Sequence, residues 1–93
     1  MNRFEYPVKV SHSAEGGVVV TCRDLPELIT QGSHLDDALL EASDAMDELF
    51  AAYMIDGMTF PLPSKLRRGE YLACPPAETM AKAATYVAMK EST

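Results

Sequence analysis

Polar and apolar residues alternate from the start of the chain: Phe4, Tyr6, Val8 and Val10 are separated by Glu5, Pro7, Lys9 and Ser11. A period of two puts one set on a single face of a strand. Proline donates no ladder hydrogen bond. Pro7 therefore predicts an edge strand, or one whose backbone points away from a neighbour at that residue. In Ser13-Ala14-Glu15-Gly16-Gly17 the paired glycines permit the positive φ of a hairpin turn. Val18 to Arg23 reads as a second strand, with Val18, Val20 and Cys22 on one face and Val19, Thr21 and Arg23 on the other. Pro26 drives Leu25 out of the helical region and breaks that strand. Leu28-Ile29-Thr30-Gln31, ended by Gly32, predicts a short third strand and completes an antiparallel meander.

The period then changes to that of a helix. Leu35, Ala38, Leu39, Ala42, Met46, Leu49, Phe50 and Tyr53 form one apolar stripe. Ser33 followed by Asp36 has the form of a capping box, Asp36 and Asp37 complement the positive end of the helix dipole, and Gly57 is a C-terminal cap. About 22 residues at 1.5 Å each give a helix of roughly 33 Å, enough to cross the sheet. Thr59 to Ser64 reads as an extended connector, and Glu70 to Cys74 as a fourth strand stopped by Pro75-Pro76. A second helix from about Ala77 to Lys90 has Met80, Ala84 and Val87 on its apolar side. The order β-β-β-α-β-α is that of an α+β domain, with one long helix packed on an antiparallel sheet and a short helix after it.

Composition narrows the chemistry. Ninety-three residues, 47% apolar and 24% charged, suit one globular domain. Fourteen acids against eight bases leave a net charge of −6, which argues against this stretch gripping nucleic acid and fits a basic partner. An apolar run long enough for a membrane span is lacking, and so are the features of a signal peptide at the N-terminus. Cys22 and Cys74 form no CxxC, and His12 and His34 have no metal-ligand spacing. The expectation is a cytoplasmic protein with reduced thiols and neither metal nor cofactor.

Catalytic motifs are missing as well: there is no GxSxG, HExxH or phosphate-cradling glycine loop. The carboxylates available for a two-metal nuclease site are Asp24, Asp36, Asp37, Asp44, Asp47 and Glu48. Neighbours on a helix diverge by about 100°, so the adjacent pairs do not converge on one ion unaided. No catalytic residue is predicted, and the chain does not read as an enzyme. The histidines read as solvated or capping residues, and the cysteines as small core residues.

The acids of the long helix read either as a solvated face or as an interaction surface. Asp36, Asp37, Glu41, Asp44, Asp47, Glu48 and Asp56 are seven acids on the long helix with no base among them. Asp37, Glu41, Asp44 and Glu48 follow a 4-3-4 spacing that stacks them on one face, where like charges repel. Leu40, beside them and off the core stripe, is an apolar anchor for a contact. The five residues Asp37, Leu40, Glu41, Asp44 and Glu48 are read as a surface for a basic partner. Lys65, Arg67 and Arg68 read as a charged loop, or as a docking point for another subunit's acidic helix. The sheet edges and the Ala-rich last helix suggest a homo-oligomer.

Taken in order, Tyr6-Pro7-Val8, Glu15-Gly16-Gly17-Val18-Val19-Val20, Asp24-Leu25-Pro26, Thr30-Gln31-Gly32 and Asp36-Asp37-Ala38-Leu39 resemble the N-terminal domain of HicB antitoxins, as do Asp56-Gly57 and Pro61-Leu62-Pro63-Ser64. The resemblance covers roughly Tyr6 to Ser64. It implies a partial RNase H-like fold without the nuclease's metal carboxylates. It also implies a partner: a HicA-type toxin, a small basic mRNA-cleaving ribonuclease whose active site the antitoxin blocks. Many such antitoxins continue into a DNA-binding domain that represses their operon. On this reading residues 1–75 are the toxin-binding domain. Residues 76–93 are a C-terminal helix at the start of an absent or missing DNA-binding domain, and no DNA-binding residue lies within 1–93. Autorepression through a region beyond Thr93 is the alternative function.

Overall fold

The computed structural model describes residues 3–92. Its elements are β1 (Tyr6–His12), β2 (Val18–Thr21), β3 (Ile29–Gly32), α1 (Leu35–Ile55), β4 (Tyr71–Ala73) and α2 (Ala77–Glu91). The α+β order expected from the sequence is the order observed. All strand pairs are antiparallel and the sheet runs β3-β2-β1-β4, so the first three strands form the meander and the fourth returns to lie beside β1.

Pro7 thus sits in an interior strand. The sheet tolerates it because β1 pairs with its two neighbours over different residues: Tyr6 to Val8 with β4, and Lys9 to His12 with β2. The Pro7 carbonyl points toward the β2 side, where it accepts from Cys22 Sγ at 3.4 Å. The proline nitrogen faces the same way, beyond the last β1–β2 pair, and no ladder bond is lost.

Alternation sorts the sheet into two faces. Tyr6, Val8, Val18, Val20 and Cys22 are buried beneath α1, which presents Ala38, Ala42, Met46, Phe50 and Tyr53. Gly32 brings sheet and helix close together, since a Cβ there would stand 2.6 Å from the Ala38 nitrogen. On the opposite face lie Pro7, Lys9, Ser11, Val19, Thr21, Ile29 and Leu72; Pro7 is fully buried there, whereas Lys9, Ser11, Leu72 and Ile29 are exposed, Ile29 by 69%.

The helix start differs from the expectation by one residue. The N-cap is His34, not Ser33, and the carboxylate that closes the turn is Asp37, not Asp36. Asp37 Oδ1 accepts the His34 N–H at 2.6 Å and Oδ2 the Ser33 N–H at 2.8 Å. Its position three residues into the turn lets one carboxylate reach both donors, whereas Asp36 accepts only from the Asp37 N–H. The other end matches its prediction: Gly57 has φ +69°, Met58 N–H donates to the Tyr53 carbonyl, and Gly57 N–H to that of Met54. This is the paired pattern of a left-handed C-terminal cap.

Aromatic rings close the core at that end. Phe60, from the connector, stacks on Tyr53 with centroids 5.4 Å apart and packs against Phe50 at 4.6 Å, with Phe4 and Tyr86 edge-on. The Pro61 carbonyl accepts from the Tyr6 hydroxyl at 2.7 Å and from Arg3 Nη1 at 2.8 Å. The second helix docks through Thr79 and Ala83, both buried, with Met80, Tyr86 and Val87 partly buried beside them. Ala84, expected on its apolar side, is exposed. Tyr86 and Lys90 donate to the carbonyls of Met58 and Gly57 at 2.6 and 2.8 Å, and the Thr79 hydroxyl to the Asp47 carboxylate.

Candidate functional site

The buried stripe of α1 orients everything else on it. At 100° per residue, Asp37, Glu41, Asp44 and Glu48 fall within a sector of roughly 60° that adjoins the Ala38 side of the stripe. Asp47, bonded to Thr79 of α2, is on the other flank. Since α2 packs on the Asp47 flank of α1 and the helix lies against β3 much more than against β4, the acidic row runs along the β3 side of the molecule. A surface cleft there is lined by Glu15, Gly17, Gln31, Gly32, Asp37 and Glu41 among others, which fixes the row's first turn directly beside the edge strand.

The row is not uniform. Asp37 is engaged with the main chain, and the N–H groups of Ser33 and His34 hold its carboxyl below the usual range. Glu41, Asp44 and Glu48 are exposed, and among the described residues no basic side chain pairs with them. Leu40 is 69% exposed and stands next to the row, away from the buried stripe. The four remaining members of the predicted surface are thus free to meet a partner, while Asp37 holds the helix start in place.

Other candidates have structural partners. The Asp24 carboxylate accepts the Ser64 N–H at 2.8 Å and its hydroxyl at 2.6 Å, tying the connector to the end of β2. Arg23 grips Glu70 with two bonds, of 3.0 and 2.9 Å, and donates to the Lys65 carbonyl at 2.6 Å. With the Arg67 N–H also on it, the Glu70 carboxyl is pulled down to about 2. The loop carrying Lys65, Arg67 and Arg68 is therefore fixed by a clasp, and the three basic side chains project from it, exposed.

His12 and His34 line one shallow cleft with Tyr71. No group of three or more His, Cys, Asp or Glu suited to a metal ion is found among the described residues. Cys22 is buried, and burial pushes its thiol up, away from the reactive thiolate; Cys74 shifts the same way for the same reason. Sequence reasoning missed the Arg23–Glu70 and Asp24–Ser64 contacts, whose partners are 47 and 40 residues apart. It also missed that the acidic row borders the sheet's open edge, because helix spacing fixes a face but not the strand beneath it.

Across residues 5–84 the chain matches the family described as HicB_like antitoxin of bacterial toxin-antitoxin system. The chain belongs to the HicB-like antitoxin family. Antitoxin HicB of Escherichia coli (strain K12) is 34% identical over 79 residues, which are 85% of this chain and 57% of that protein. Antitoxin HicB 2 of Photorhabdus laumondii is 39% identical over 79 residues, 85% of this chain and 55% of the relative. Antitoxin HicB 1 of the same organism is 38% identical over 63 residues, 68% of this chain and 41% of the relative. The HicB-like chain therefore spans about 57% of the length of the E. coli antitoxin. No helix among the described residues is long and apolar enough to cross a membrane.

Proposed function

We propose that this chain is the toxin-binding part of an antitoxin, and that it neutralises a small basic HicA-type ribonuclease by covering its active site. The observation that carries the reading is the row of Glu41, Asp44 and Glu48, exposed and without a cation, beside the exposed Leu40. Opposite charge speeds encounter and fixes register, and the apolar contact holds the complex once formed. The mode is steric: the chain's own Asp24 serves the connector, and the action requires no chemistry from the antitoxin.

The test is inhibition of RNA cleavage by a purified HicA-type toxin. Glu41, Asp44 and Glu48 changed together to Lys should slow association at low salt by about tenfold or more, with less difference at high salt. Asp37 is left intact so that the helix start is preserved. A triple variant that inhibits as well as the wild type at every salt concentration would remove the helix as the docking face.

A further inference from the structure

The edge strand β3 has an unoccupied side whose geometry follows from the ladder. Ser13 N–H donates to the Gly17 carbonyl at 3.0 Å, so Ser13 and Gly17 are a hydrogen-bonded pair. In an antiparallel pair such exchanges recur every second residue. Ser11 and Val19, and then Lys9 and Thr21, are therefore also bonded pairs, and the main chain of Val18 and Val20 turns to β3. There Val18 meets Gly32 and Val20 meets Thr30. The N–H and C=O groups of Ile29 and Gln31 consequently point out of the sheet, as a two-rung template for another strand.

Nothing in Ile29–Gly32 discourages pairing. The strand has no proline, no lysine and no other charge, and these are the usual devices that protect an edge. The β4 edge offers less: by the same alternation only Leu72, in a strand of three residues, turns its main chain outward. Beside the β3 edge the acidic row begins, with Asp37 and Glu41 sharing a cleft with Gln31 and Gly32. The twelve residues from Asp37 to Glu48 span about 16 Å at the helical rise, close to the roughly 13 Å of a four-residue strand.

We infer that β3 is where a basic partner adds a strand to this sheet, in register with the acidic row of α1. The proposal rests on the toxin-binding reading above and specifies its mode. The incoming strand pairs with the main chain of Ile29 and Gln31. Its alternate side chains are Lys or Arg on the side facing Glu41, Asp44 and Glu48, and apolar on the open face against Ile29. Main-chain bonds supply affinity, and the alternation supplies specificity. A second copy of this chain suits the edge poorly. Joined β3 to β3 about a two-fold axis, both long helices would lie on the same face and oppose their unrelieved acidic rows.

Amide hydrogen exchange followed by NMR, on the chain alone and with a purified basic HicA-type toxin, tests the placement. Toxin binding should slow exchange of the Ile29 and Gln31 amides by about tenfold or more and leave the Leu72 amide unchanged. In parallel, Gln31→Pro removes one outward N–H and no β2 ladder bond. It should weaken toxin binding by about tenfold, with its own melting temperature measured alongside. If toxin binds at full strength, both amides exchange as before and Gln31→Pro is neutral, the edge assignment is overturned while the toxin-binding reading stands. If the two amides become protected in the chain alone as its concentration rises, a second copy holds the edge and the inference is likewise overturned. If toxin does not bind the wild-type chain, both readings fall.

Discussion

Gly32 is a point of close approach between sheet and helix, and filling it is a sharp perturbation. A Cβ at this position would lie 2.6 Å from the nitrogen, 2.7 Å from the Cα and 3.0 Å from the Cβ of Ala38. The first of these is roughly 0.8 Å short of ordinary contact, and backbone atoms of a helix's first turn cannot swing aside as a side chain would. Gly32→Ala must therefore lift the start of α1 from β3, an overpacking cost of about 1–3 kcal/mol. Restricting the unfolded chain returns about 0.5–1 kcal/mol, so the net loss is about 1–2 kcal/mol. For a domain of this size that is a fall in melting temperature of about 5–15 °C by circular dichroism. Two companions isolate the cause. Adding Ala38→Gly should not rescue the variant, because the two shortest contacts are to the backbone. Gly16→Ala, with open space around its Cβ but φ +98°, should cost only the conformational penalty of about 1 kcal/mol. A Gly32→Ala chain that melts at or above the wild-type temperature would refute the reasoning.

Two further outcomes are expected. Asp37→Ala removes the acceptor of both the Ser33 and His34 N–H groups and should lower the urea midpoint of unfolding, whereas Asp36→Ala, which loses one contact, should lower it less; equal effects would refute the assignment of Asp37 as the cap. Glu70 is held near 2 in the folded protein, below the 4.5 of a free carboxyl, so its contribution is present above pH 4.5 and is lost as the pH falls toward 2. Glu70→Gln should flatten that part of the stability–pH curve, and an unchanged acid limb would show that the Arg23 clasp does not contribute.

The strands, both helices and their order were legible because hydrophobic period and turn residues act locally. Val18, Val20 and Cys22 on one parity, the stripe from Ala38 to Tyr53, and Gly57 as a C-terminal cap all stand where the pattern put them. Three things were not legible. Pro7 suggested an edge, yet β1 is interior; pairing by halves is a property of the neighbours, not of the proline. The capping carboxylate shifted by one residue because two consecutive aspartates satisfy the same motif, and only the backbone path decides between them. The contacts of Arg23, Asp24 and Tyr86 join residues far apart in sequence, and nothing local announces them. Of the candidate surface, the spacing of the acids and the exposure of Leu40 were readable. The open strand edge beside them was not.

The β1–β4 pairing has a consequence for how the molecule assembles. Tyr6 faces Ala73 across most of the chain, whereas β1, β2, β3 and α1 follow one another through short turns. Contacts between near neighbours close quickly, and distant ones wait on the entropy of a long loop. The meander and long helix are accordingly expected to form the folding nucleus, with β4 and α2 joining it to seal the Tyr6–Val8 margin. Substitutions within the meander and α1 should then slow folding, and those in β4 or α2 should chiefly speed unfolding. The half of the molecule that carries the acidic row and the open edge is thus also the half expected to set its folding rate.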